Sequence, residues 1–214
     1  FLTSSKWFNA VSVYVPDSTV LNAIWALPFV QQTEAVGRLS GEREISKLED
    51  ESSYKSVGSG GNSEQDYGTA FTQIDMLGGI PLHEQGYMGQ GMVIAVLDAG
   101  FTNVNQLSVF DSLNNSGCLL ATWDFVSGND SVFNDHTHGM AVLSTMAAYQ
   151  PGSMIGTAPL ASYILLRTED AASEFPIEED FWVAGAEYAD SAGADIINSS
   201  LGYTTFDNPM FDHT

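Results

Sequence analysis

Cysteine and basic residues are scarce in this chain. Of its 214 residues, one is a cysteine, Cys118, and six are lysine or arginine, against 27 that are aspartate or glutamate. A single cysteine excludes a disulfide within the chain and a zinc cluster built from several cysteines. The formal net charge of -21 repels other anions, so we expect binding to neither nucleic acid nor an anionic membrane surface.

Long apolar runs are also missing. No stretch approaches the roughly 18 apolar residues that span a bilayer, so the sequence predicts no transmembrane helix. A hydrophobic fraction of 44 % is nevertheless ordinary for a globular protein. The chain begins at Phe1 without a signal-peptide pattern, and we expect that it has been trimmed at its N-terminus.

The first of three predicted regions, residues 1–38, has the pattern of a small β-α-β unit. Residues 9–15 are rich in β-branched side chains that alternate with polar ones, which predicts a strand. A helix follows, with Asp17 or Ser18 as its cap. Its apolar side chains fall on one face: Val20, Leu21, Ile24 and Leu27. Residues 29–36 predict the second strand.

The second region, residues 39–66, is polar and rich in glycine, serine and acidic residues. That composition is typical of a flexible linker. Exposed linkers of this kind are where proteases cut, so we expect a processing region here.

The third region, residues 67–214, alternates strand and helix patterns. Three short runs are almost continuously apolar, as in strands buried on both faces of a parallel sheet: 92–97, 162–166 and 194–198. Three helical segments lie before or between them: 71–77, 138–149 and 177–192. The order predicts an α/β fold with a doubly wound, mainly parallel sheet, whose sites gather at the carboxyl ends of the strands.

Asp98 directly follows the first apolar run and precedes Ala99 and Gly100. A carboxylate at the end of a buried strand lies where an α/β protein builds its site. Asp-X-Gly is also a common turn after a strand, and that reading stays open for this residue taken alone.

Two of the four histidines, His136 and His138, lie close together before an apolar helix. A histidine at a helix N-terminus is favoured in its neutral form, which suits a general base. If the segment were a strand, both side chains would point the same way and could share a zinc ion with a carboxylate. A surface or core histidine without a chemical role is the third possibility.

The third run ends in Asn-Ser-Ser-Leu-Gly, which includes Ser200, Leu201 and Gly202. Small residues with available backbone groups at a strand end can pair with an extended peptide. A polar strand exit without a function is the alternative.

Four motifs in order resemble the subtilase family of serine proteases. Val-Ile-Ala-Val-Leu-Asp-Ala-Gly (93–100) is similar to the family's aspartate motif, and His-Gly-Met-Ala-Val (138–142) to its histidine motif. Gly-Thr-Ala-Pro (156–159) and Asp-Ile-Ile-Asn-Ser-Ser-Leu-Gly (195–202) resemble the family's next two segments. The resemblance covers residues 67–202, and it extends to secreted members of the Bacteroidetes type through Leu-Leu-Arg-Thr-Glu-Asp (165–170).

The resemblance implies a secreted serine endopeptidase with a subtilisin-like fold. It assigns catalytic roles to Asp98 and His138, and substrate binding to Ser200, Leu201 and Gly202. Residues 1–38 resemble the end of a pro-segment, which implies a zymogen inhibited by its own pro-segment. Peptides and proteins are the implied substrates, and no cofactor is certain, although structural calcium is possible in the full-length protein.

The catalytic serine is the missing part of this resemblance. No Gly-Thr-Ser motif occurs in the 214 residues. In the Asp, His, Ser order of subtilisin the serine follows the histidine by roughly 150 residues, so we expect it near position ~290. We therefore expect the subtilisin-like sheet to be incomplete in this chain, and the chain alone to be inactive.

The motifs also depart from the family pattern. Ala99 stands where the family has serine or threonine, and Met140 and Ala141 replace the threonine and histidine of His-Gly-Thr-His. Two alternatives therefore stay open. One is a metal-dependent hydrolase that uses Asp98, His136 and His138, and the other is a non-catalytic protein that binds peptides.

Overall fold

The computed structural model describes residues 1–36, 66–172 and 176–202. The predicted linker lies outside these residues except for Asp66. Within residues 1–36, strands β1 (Thr3–Ser5) and β2 (Ala10–Ser12) form an antiparallel hairpin, and helix α1 (Ser18–Trp25) follows. Asp17 caps that helix, as predicted, because its carboxylate accepts the backbone N–H groups of Thr19 and Val20 at 2.7 and 3.1 Å.

The prediction of a β-α-β unit is wrong for residues 29–36. These residues form no strand, and the chain leaves α1 through a turn in which the Val30 N–H donates to the Leu27 carbonyl at 3.1 Å. The partner of β2 is instead β1, which precedes it in the sequence. A strand needs a hydrogen-bonded neighbour, and the hairpin supplies one locally at little cost in loop-closure entropy. The described unit is therefore β-β-α.

The remaining elements lead into and around a sheet. Helices α2 and α3 come first, and α4 to α6 follow further along: Phe71–Met76, Gly79–Glu84, Asp111–Asn115, His138–Ala147 and Ile177–Ser191. Strands β3 to β8 are Val93–Asp98, Leu119–Asp124, Tyr149–Gln150, Met154–Ile155, Ser162–Arg167 and Ile196–Ser199. A single 3-10 turn, Ser108–Phe110, leads into α4.

Four of these strands form a parallel sheet in the order β4-β7-β3-β8. The three predicted apolar runs form β3, β7 and β8. The prediction that all three are buried on both faces is wrong for β8, which lies at one end of the described order and leaves Ile196 and Ile197 49 % and 39 % exposed. Strands β5 and β6 pair with each other in a separate antiparallel hairpin. The predicted α/β class with a parallel sheet is confirmed.

The side chains of β3 alternate between two cores. Ile94 and Val96 join Leu143 of α5 in one cluster, whereas Ala95 and Leu97 join Ala186 of α6 in another. Strand β7 alternates in the same way. Both faces of the central strands are therefore covered by helices, which explains why these strands are continuously apolar in sequence. It also confirms the predicted doubly wound arrangement.

Strand β4 was not predicted. It occupies the end of the described sheet order, and Leu120 and Trp123 are 50 % and 36 % exposed. A strand at an edge mixes buried and exposed apolar side chains, so it lacks the continuous run that identified β3 and β7.

The N-terminal hairpin lies against α6. The carboxylate of Glu187 accepts hydrogen bonds from the Ser5 hydroxyl at 2.5 Å and from the N–H groups of Lys6 and Trp7 at 2.8 and 3.1 Å. About two turns earlier on α6, Asp180 accepts a hydrogen bond from the Ser12 hydroxyl. Among the helices of the described ranges, none is both long enough and apolar enough to cross a membrane.

Candidate active site

Asp98 is the last residue of β3 and is fully buried. Its carboxylate accepts the Ala99 N–H at 2.7 Å. Burial raises the pKa of Asp98 above its usual value, and the hydrogen bond with His138 opposes that rise in part. The sequence-based placement of this carboxylate at the end of a buried strand is therefore the one found in the structure.

His138 is the first residue of α5, and its ring faces Asp98. The ring Nδ1 lies 2.9 Å from one carboxylate oxygen of Asp98 and 3.0 Å from the other. The His138 side chain is 46 % exposed, although its partner is fully buried. When Nδ1 carries the proton and donates it to the carboxylate, Nε2 is the basic nitrogen. The arrangement can thus take a proton from a group that approaches the exposed side of the ring.

Two glycines permit this close approach of α5 to the end of β3. A Cβ atom at Gly139 would lie 2.8 Å from the Cβ of Asp98 and 2.5 Å from the carbonyl oxygen of Gly100. Gly100 itself has φ 153° and would place a Cβ atom 2.5 Å from the His136 backbone nitrogen. A side chain at Gly139 would push α5 away from Asp98, and a side chain at Gly100 would push away the loop that leads into α5.

His136 takes a different place from His138. Its Nδ1 accepts the backbone N–H of His138 at 3.2 Å, and the two rings are 6.4 Å apart between centroids. His138 begins a helix rather than continuing a strand, so the basis for a shared zinc site, two side chains on one side of a strand, is not present. Among residues 1–36, 66–172 and 176–202, no group of three metal-binding side chains could hold a metal ion.

Ser200, Leu201 and Gly202 follow directly on β8. In the sheet register Ser199 pairs with Leu97, so the three residues leave the sheet at the carboxyl ends of the strands, where Asp98 also lies. Ser200 and Gly202 are exposed, and the Asn198 side-chain amide donates to the Ser200 hydroxyl at 3.2 Å. The structure thus brings residues 200–202 to the same end of the sheet as Asp98 and His138.

Comparison with known proteins decides the family. The peptidase S8 family, described as the subtilase family, matches residues 89–213, which is more than half of the chain. The chain belongs to the subtilase family. The match includes both Asp98 and His138, and it therefore confirms the resemblance that the four motifs indicated.

Individual subtilases are similar over the same part of the chain. Subtilisin E of Bacillus subtilis (strain 168) is 32 % identical over 126 residues, covering 58 % of this chain and 30 % of that protein. Subtilisin of Bacillus pumilus is 30 % identical over 126 residues, and the match covers 58 % of this chain and 42 % of that protein. This subtilase chain therefore spans less than half the length of the curated relatives it matches.

A solved structure supports the fold. The MycP3 protease from the type VII (ESX-3) secretion system superposes with a TM-score of 0.50 and 20 % identity, covering 64 % of this chain and 37 % of the other. At this level of identity the likeness concerns the fold alone. It agrees with the predicted subtilisin-like sheet.

Arg167, which was not singled out from the sequence, pairs with Asp98 in the sheet register. Its guanidinium is 3.0 Å from the carboxylate of Asp124, and both side chains are buried. The available signal was a basic residue directly after a buried apolar run, in a chain with only six basic residues. A buried charge is rarely found unless it is paired, so the position of Arg167 predicts an acidic partner.

Proposed function

We propose that this chain supplies the aspartate and histidine of an Asp-His-Ser triad in a serine endopeptidase. The observation that carries the proposal is the pair itself: a buried Asp98 carboxylate that contacts Nδ1 of a half-exposed His138. Membership of the subtilase family supports the reaction class.

In this mechanism each of the two residues has one role. His138 accepts the proton of the serine hydroxyl through Nε2 as the hydroxyl attacks the peptide carbonyl, and it later returns the proton to the leaving amine. Asp98 fixes the tautomer and orientation of the ring and stabilises the imidazolium that forms. The burial of Asp98 strengthens that stabilisation, because charges interact more strongly away from water.

We propose that Ser200, Leu201 and Gly202 bind the substrate backbone. They leave the sheet beside Asp98, two of them are exposed, and their N–H and C=O groups are of the kind that pairs with an extended peptide. Peptides and proteins are then the substrates.

Residues 1–38 are proposed as the end of a pro-segment, residues 39–66 as a processing linker, and residues 67–214 as part of the catalytic domain. The contacts of Ser5, Lys6 and Trp7 with Glu187 support a hairpin that docks on the catalytic domain. A docked pro-segment acts as an intramolecular inhibitor of a secreted zymogen. This part of the proposal predicts that removal of residues 1–38 from the complete enzyme increases peptide turnover.

The serine of the triad is proposed to lie outside the 214 residues, so that the chain alone gives only background cleavage. Loss of the triad serine lowers kcat by about 10⁶ in subtilisin. The test uses the product of the complete reading frame and a fluorophosphonate probe that labels activated serines. We expect labelling that the change Asp98→Asn greatly reduces and that a zinc chelator, added with excess calcium, leaves unchanged. Undiminished labelling of the Asp98→Asn variant, or robust cleavage by the 214-residue chain alone, would contradict the proposal.

A further inference from the structure

We propose that Arg167 is a positioning residue for the Asp98–His138 pair, because its guanidinium ties the segment after Asp98 to the segment before His138. The inference rests on the proposed function, in which this pair is the base of the reaction.

The position of Arg167 follows from the register of the sheet. It is the last residue of β7 and pairs with Asp98 in β3 on one side and with Asp124 in β4 on the other. Three neighbouring strands therefore end at one level with an arginine between two aspartates. Residues in register on neighbouring strands point to the same face, so Arg167 and Asp98 share the face covered by α5. His138 lies at the start of that helix.

The guanidinium of Arg167 joins several segments that lie far apart in sequence. Its Nε donates to the Ala99 carbonyl at 3.0 Å, and its NH1 donates to Asp124 at 3.0 Å and to the Ser127 hydroxyl at 3.2 Å. NH1 is also 3.6 Å from the carboxylate of Asp135. Asp135 lies three residues before His138, in the loop that leads into α5. The Arg167 side chain is 7 % exposed, so water screens these contacts little.

Ala99 connects this network to the reacting groups. Arg167 holds the carbonyl of Ala99, while the N–H of the same residue donates to Asp98 at 2.7 Å. Asp98 in turn contacts Nδ1 of His138. The position of the His138 ring therefore depends, through three hydrogen bonds and the backbone of Ala99, on a guanidinium that touches no reacting atom.

Lysine cannot replace this arrangement. A guanidinium presents several N–H groups in a rigid plane and can bind a carbonyl and a carboxylate at once, whereas an ammonium is a point charge on a flexible stem. Lysine at position 167 would still neutralise Asp124 but would lose the directed contact with Ala99. The change Arg167→Lys thus separates positioning from charge balance.

The experiment measures the tautomer of the His138 ring by ¹⁵N NMR on the 214-residue chain, in alkaline buffer where imidazoles are neutral. We expect the proton on Nδ1 in the unaltered chain and a mixture of tautomers in Arg167→Lys. The double variant Arg167→Met/Asp124→Asn removes the buried charge pair and should give the same mixture. It leaves no buried charge alone, because the other two carboxylates near Arg167, those of Asp135 and Asp170, are 37 % and 39 % exposed. Ser127→Ala is the control, since it removes an Arg167 contact that does not lead to Ala99.

The same variants are then measured in the product of the complete reading frame. Arg167→Lys should lower kcat by about 10- to 100-fold with KM little changed, because misplacement of a reacting group slows chemistry rather than binding. A wild-type tautomer in both Arg167 variants, or an unchanged kcat, overturns the positioning role while leaving the proposed function intact. A proton on Nε2 in the unaltered chain overturns both.

Discussion

The carboxylate of Asp98 meets the His138 ring with both of its oxygens within hydrogen-bonding distance of Nδ1, at 2.9 and 3.0 Å. The two side chains differ strongly in exposure, since the aspartate is fully buried and the histidine is about half exposed. Solvent and ligands therefore reach this pair through the histidine.

Asp98→Asn should make the chain more stable at neutral pH. Burial raises the folded-state pKa of Asp98 above its ordinary value of 3.8, so the folded state holds this proton more tightly than the unfolded state does. Stability then falls as the pH rises from about that value through the folded pKa. Asparagine stays neutral and avoids this loss, so the variant should unfold at a higher temperature at neutral pH.

Thermal unfolding of both proteins over a pH series checks this. The gain should shrink as the pH approaches the acid end of the series, where Asp98 is protonated in both states. Asp75→Asn, which removes the same charge from an exposed position of α2, should change the unfolding temperature little. A gain that stays constant across the series would rule out ionisation of Asp98 as the cause.

Gly139→Ala should destabilise the chain, although alanine normally favours a helix by about 1 kcal/mol over glycine. The added Cβ atom would meet Asp98 and the Gly100 carbonyl at less than 3 Å, so α5 must move away from the end of β3. Overpacking of this kind costs about 1–3 kcal/mol. Denaturant unfolding measures the free energy, and Thr145→Ala at an exposed position of the same helix should stay within about 0.5 kcal/mol of the unaltered chain. Equal stability of the Gly139 and Thr145 variants would refute the tight contact.

Docking of the N-terminal hairpin on α6 should weaken in acid. Partial desolvation opposes ionisation of Glu187, but the hydrogen bonds from Ser5, Lys6 and Trp7 outweigh it and lower the pKa of this carboxyl. A lowered folded pKa means that the contribution is complete above the ordinary pKa and is lost as the pH falls through the folded value. Hydrogen-exchange protection factors of the Lys6 and Trp7 amides should therefore be high at neutral pH and fall in acid.

Glu187→Gln should lower those two protection factors even at neutral pH, because the amide is a weaker acceptor than a carboxylate. Asp190→Asn, an exposed acidic position on the same helix, is the matched control and should leave them unchanged. Equal protection of both amides in the Glu187 and Asp190 variants would show that the carboxylate does not hold the hairpin.

Leu165→Ala should destabilise the chain by about 2–5 kcal/mol, as expected for a large side chain deleted from a closed core. Leu165 is fully buried in β7 within the cluster between the sheet and α5. Leu120, in the neighbouring strand β4, is half exposed, and Leu120→Ala should cost far less. Calorimetric or denaturant unfolding gives both free energies. A similar loss of stability at the two positions would contradict the assignment of Leu165 to the core and of Leu120 to the surface.

The central strands and the positions of Asp98 and His138 could be predicted from the sequence because their signals are local. A strand covered on both faces must be apolar at every position, which marks β3 and β7 without any knowledge of their neighbours. Asp98 follows such a run directly, and His138 begins the run His-Gly-Met-Ala-Val that resembles the family's histidine motif.

The missed features depend on pairings between distant segments. Strand β1, Thr-Ser-Ser, has no apolar pattern and exists because β2 lies beside it. Arg167 meets Asp124 and Ala99 only because three strands end at one level of the sheet. That register depends on strands that are distant in sequence, so it cannot be predicted from any one segment alone.

The most direct test of the account compares two histidine variants of the complete reading-frame product in a peptide-cleavage assay. We expect His138→Ala to lower kcat by about 10⁶, the loss known for the triad histidine of subtilisin. We expect His136→Ala to retain most of the activity, and a zinc chelator added with excess calcium to leave the activity of the parent unchanged. Retained turnover in His138→Ala would contradict the claim that Asp98 and His138 form the base of a serine peptidase. Loss of activity in His136→Ala, together with a chelated parent whose activity returns when zinc is added, would contradict it as well.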